Sequence, residues 1–109
     1  MAVHEFGIMP EAPVHGRRFD EYEPERYRCM SVDDAFIEHR LWDFLILPCY
    51  AHSVDLPCTG LCYCGVTLIP PHAAREMFWM VHTDRHLAAL AELLARAGRE
   101  NKWIIHFGL

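Results

Sequence analysis

The chain has 109 residues, 52% of them hydrophobic and 23% charged, which suits one compact domain and excludes both intrinsic disorder and a second core. A formal charge of −5 leaves no basic footprint for a phosphate backbone, so nucleic acid is not an expected partner. No apolar stretch approaches the roughly 20 residues that span a bilayer, so no membrane role is expected.

Residues 3–9 alternate as a strand, with His4, Phe6 and Ile8 on one face and Val3, Glu5, Gly7 and Met9 on the other. Residues 10–26 follow with three prolines, the pair Arg17 and Arg18 and the acidic run Asp20, Glu21, Glu23 and Glu25, a composition that predicts a long surface loop. Loops of this length are uncommon inside compact domains, and Phe19, Tyr22 and Tyr27 are placed to pin this one to the body.

A second strand is predicted over 27–32, with Asp33 and Asp34 offering carboxylates for a helix start. Ile37, Leu41, Phe44 and Leu45 lie at helical spacing and predict a helix over 35–46, broken by Pro48. Residues 60–69 predict a strand apolar on both faces, with Cys62, Cys64, Val66 and Leu68 pointing one way. Pro71 then opens a helix whose stripe is Ala74, Met77, Phe78 and Val81, while Trp79 breaks that stripe and marks a candidate dimer contact. Thr83 and Asp84 cap a further helix carrying Leu87, Leu90, Ala91 and Leu94 inward and ending at Gly98. Residues 102–109 close the chain as a strand. The expected fold is a single α+β domain over 1–109, with a mixed sheet of about four strands covered by two or three helices, mainly on one face.

Three cysteines stand together as Cys58, Cys62 and Cys64, the densest group of soft side chains in the sequence. Zinc sites usually take four Cys or His ligands from two knuckles. Cys58 and Cys62 offer one knuckle, with Cys64, Cys49, His52 or His72 to complete the set, but a second knuckle is missing. Burial as small hydrophobes is the favoured reading, so no cofactor is expected and zinc is the alternative. A nucleophilic thiol needs a lowered pKa and a nearby histidine, and Cys58, between Pro57 and Gly60, is the candidate. Serine hydrolysis has no support, since Ser31 and Ser53 lack a nucleophile elbow. The spacing of Gly60 and Gly65 opens a P-loop, but Val66 and Thr67 stand where Lys and Ser or Thr belong.

Strands at the two chain ends commonly meet in small domains, so His4 and His106 are candidates for one pocket with Glu5, Asp33 or Asp34, as an acid/base pair or metal site. The acidic loop offers the other site: Asp20, Glu21, Glu23 and Glu25 would steer a basic partner, with Tyr22 as an anchor. Five cysteines cannot all pair, and the stretch from Met1 to Glu5 lacks the regions of a signal peptide, which predicts a reducing cytoplasm. Together these features predict a small acidic cytoplasmic module of protein-binding or inhibitor type, acting on a basic protein surface or by self-association. The alternative is a metal- or thiol-dependent enzyme or metal-binding protein using the central cysteines and histidines.

Overall fold

The computed structural model describes residues 2–109. Six strands, β1 (Val3–Ile8), β2 (Met30–Asp33), β3 (Pro48–Ala51), β4 (Pro57–Thr59), β5 (Val66–Ile69) and β6 (Ile104–Phe107), form one sheet in the order β2-β1-β6-β5-β3-β4. Every pairing is antiparallel. The chain is therefore α+β, but the sheet has six strands where about four were expected, and it is not mixed. Two helices, α3 (Pro71–Val81) and α4 (Ala88–Glu100), lie between β5 and β6 in sequence. A single crossover helix would return the chain for a parallel strand; a helical hairpin brings it back to the end it left, and β6 runs antiparallel to β5.

The two strands missing from the sequence reading, β3 and β4, both begin with proline. Pro48 opens its strand and Pro57 lies on the edge of the sheet, positions that tolerate the missing N–H. The predicted strand over 60–69 shrinks to β5, because Gly60 (φ 74°) and Gly65 (φ 95°) both adopt left-handed backbone and bracket an irregular turn. Cys62 and Cys64 sit in that turn, outside any strand. The predicted helix over 35–46 is interrupted. It runs as α1 (Asp34–Ile37), a 3-10 turn (Glu38–Arg40) and α2 (Leu41–Phe44). The tightened turn accompanies Arg40, whose guanidinium donates to the Met80 carbonyl at 2.9 Å and to Asp84 at 2.8 Å.

Helix α3 begins at Pro71 as its sequence demands, and α4 buries Leu90, Ala91 and Leu94. It ends at Glu100, two residues beyond Gly98, with Asn101 as its C-cap in left-handed backbone, while Gly98 itself stays helical and buried. The helices cover one sheet face, where Phe6, Ile69 and Ile104 join Met77, Val81, Leu90 and Leu94 in the main core. The long loop covers the other face. Phe19 and Tyr27 are buried there against Val66, Leu68, Ile105 and Phe107. The segment 10–26 is thus a lid on a second small core, with an exposed outer surface.

Candidate functional site

The most organised polar array in the molecule lies on the helix side of the sheet. Alternation puts His4 of β1, His106 of β6 and Thr67 of β5 on that face, and the register sets Thr67 directly opposite His106. His4 Nδ1 is 2.9 Å from His106 Nε2, and the rings lie nearly parallel with centroids 5.1 Å apart. His4 Nε2 reaches Asp34 Oδ1 at 2.8 Å, His106 Nδ1 reaches Thr67 Oγ1 at 3.1 Å, and the Cys62 amide donates to that hydroxyl at 2.8 Å. Tyr63 donates its phenolic hydrogen to Asp34 Oδ2 at 2.7 Å.

Chemistry assigns the protons along this chain. An ionised carboxylate only accepts, so His4 Nε2 and Tyr63 both donate to Asp34. A neutral His4 then presents a lone pair at Nδ1, which accepts from His106 Nε2–H. The remaining His106 nitrogen accepts from Thr67, which itself accepts from Cys62. Every donor finds an acceptor, and His106 is neutral: burial, with a smaller contribution from the adjacent His4, pushes its pKa down to about 3. Hydrogen bonds from Tyr63 and then His4 hold Asp34 below the usual carboxylate value, while Asp34 pushes Tyr63 up to about 12.

Both imidazoles are fully buried. Only the Asp34 and Tyr63 end approaches solvent, so the array has no open face for a substrate at the rings. Its evident mechanical effect is to tie four distant segments together: both terminal strands, the start of α1 and the turn 60–65. Asp33 adds to this by capping α1, accepting from the Ala35 amide at 2.9 Å. Replacing Asp33 with Ala is expected to cost about 1 kcal/mol, seen as a lower urea midpoint, with Asn restoring most of it.

The structure thus brings His4, His106 and Asp34 together as the sequence suggested, but it turns Glu5 to the opposite face, where it accepts from Tyr22. Cys58 is half-buried in β4, opposite Cys49, and burial pushes its thiol up to about 11, the reverse of what a nucleophile needs. Cys64 and His72 are exposed, while His52 lies in the turn after β3 with its carbonyl accepting from the Phe19 amide. Among the described residues, no three His, Cys, Asp or Glu side chains are grouped to hold a metal ion. In the acidic loop, Asp20 pairs with Arg18 at 3.1 Å and Glu23 with Arg26 at 3.5 Å, which leaves Glu21 and Glu25 without an ion pair among the described residues.

One feature escaped the sequence reading. The helical segment 34–44 and the turn after it bury Ile37, Phe44 and Leu47 but present Trp42 (80% exposed), Ile46 (72%) and Leu45 (45%) outward. Placing 37, 41 and 44 inward at helical spacing leaves 42, 45 and 46 facing away, a signal that the apolar run 44–47 masked. Comparison with family models, curated proteins and solved structures returns no match.

Proposed function

We propose that the protein is a small cytoplasmic binding module of inhibitor type that docks a basic protein partner through the segment 34–46. The observation that carries this reading is the clustering of Trp42, Leu45 and Ile46 on one solvent-facing surface, with Glu38 and Asp43 exposed beside them. A contiguous exposed apolar patch with a charged rim is typical of an interaction site, and tryptophan is among the residues enriched as anchors of such sites. The surface is prepared for binding: the histidine array holds its first residue and Arg40 ties its middle to α3, so little order must be gained on docking. Self-association would set acidic rim against acidic rim, which favours a different partner whose aliphatic surface is bordered by Lys or Arg. Glu21 and Glu25, on the far side of the sheet, add long-range steering but no anchor.

The test is a photo-crosslinking residue at position 42 in the native host, followed by the double variant Trp42→Ala, Ile46→Asp. A single basic partner is expected to crosslink, and the double variant should lose it while its own stability changes by about 0.5 kcal/mol or less. Recovery of the same partner by the double variant would remove this surface from the reading. Native mass spectrometry of chelator-free protein addresses the alternative, since one metal per chain, lost in Cys58→Ser, would favour a metal-binding role over docking.

A further inference from the structure

We propose that the cleft between the turn 24–28 and the end of α4 is a binding site for a small molecule carrying a pyrophosphate group. The cleft is a shallow depression open to solvent, of about 510 Å³, and Arg26, Arg28, Arg96 and Lys102 line it with Glu100 as the one carboxylate. Four of the ten Lys and Arg residues of a chain with net charge −5 therefore converge on one concave surface. Two of them have in-chain partners that are exposed and loosely held: Arg26 lies 3.5 Å from Glu23 and Lys102 lies 3.6 Å from Glu100. Arg28 and Arg96 have no ion pair among the described residues.

Arg96 stands before the last turn of α4, while Lys102, just past the C-cap, also offsets the negative end of that helix's dipole, which gives it a structural reason to be where it is. Arg28 has none. It sits in left-handed backbone at φ 50°, a conformation that Gly, Asn or Asp takes more readily and that costs any other residue free energy. A guanidinium is thus held in the cleft against the backbone preference. The lining charge of four cations and one carboxylate matches two phosphoryl groups of about −1.5 to −2 each, and arginine forks suit phosphate oxygens in pairs.

Titration calorimetry of the full chain with inorganic pyrophosphate tests this site. Saturable binding of one pyrophosphate is expected, weakening steeply with added salt, with at least a tenfold loss in each of Arg28→Gln and Arg96→Gln. Arg28→Gly separates site from fold: it should lose affinity to the same degree while melting at the same or a higher temperature. Absence of saturable binding, or equal affinity in Arg28→Gln, overturns the proposal. Tighter binding of a short RNA duplex than of pyrophosphate overturns it as well, in favour of a nucleic-acid backbone.

Discussion

Replacing His106 with Gln lowers stability at neutral pH by about 2–3 kcal/mol, because the His4 Nδ1 lone pair and the Thr67 hydroxyl lose matched partners in a site with no access to water. The same substitution changes how stability depends on pH. His106 titrates near 6.5 when unfolded and near 3 when folded, so between those values the unfolded chain binds a proton that the folded chain refuses. The stabilisation from a neutral His106 is fully present above pH 6.5 and drains away as pH falls, at roughly 1.4 kcal/mol per pH unit. Asp34 acts in a different window: its lowered pKa contributes stability that is present above its ordinary value of 3.8 and lost only below it. Urea denaturation at a series of pH values should therefore show the wild type losing stability through the mildly acidic range. The His106→Gln curve should be lower and flatter across that range. Parallel curves would mean that His106 is already protonated in the folded protein.

Gly7→Ala is expected to be at least as damaging, for a steric reason. A Cβ at position 7 would stand 2.6 Å from the Tyr27 carbonyl oxygen and 2.8 Å from both the Tyr27 Cβ and the Cys29 sulfur. Two of these atoms belong to, or are fixed by, the backbone of the loop, so relief requires the loop to lift from β1. Tyr27 would then withdraw from Phe107 and the second core, at a cost of about 2–4 kcal/mol. Trypsin reads the movement directly, since Arg26 and Arg28 flank Tyr27: cleavage there should accelerate strongly in Gly7→Ala and stay slow in the wild type. Unchanged cleavage would show that β1 yields and the loop does not. The pyrophosphate cleft shares both arginines with this turn, so its affinity should fall in the same variant.

Local periodicity, acting over one or two turns of chain, was enough to identify several elements by themselves. Alternation in 3–9 fixes the two faces of β1, Pro71 opens α3, and the spacing of Leu87, Leu90, Ala91 and Leu94 marks the inward stripe that leads into and along α4. A separate argument, that strands at the two ends of a small domain are commonly neighbours, offered His4 and His106 as candidates for one pocket. Residues whose meaning depends on a distant partner stayed hidden. Thr67 looks like an ordinary strand residue until β6 sets His106 against it, and Tyr63 has no role until the turn 60–65 brings it to Asp34. Pro48 and Pro57 read as breakers because only the sheet order reveals which strand lies at an edge. Long-range pairing also decided that Leu45 and Ile46 face solvent while Phe44 and Leu47 face the core, a choice that a continuous apolar run cannot encode. Sequence determined which segments could form elements; the tertiary structure decided which polar groups share a buried network and which apolar groups stay outside, since both depend on contacts between residues far apart in the chain.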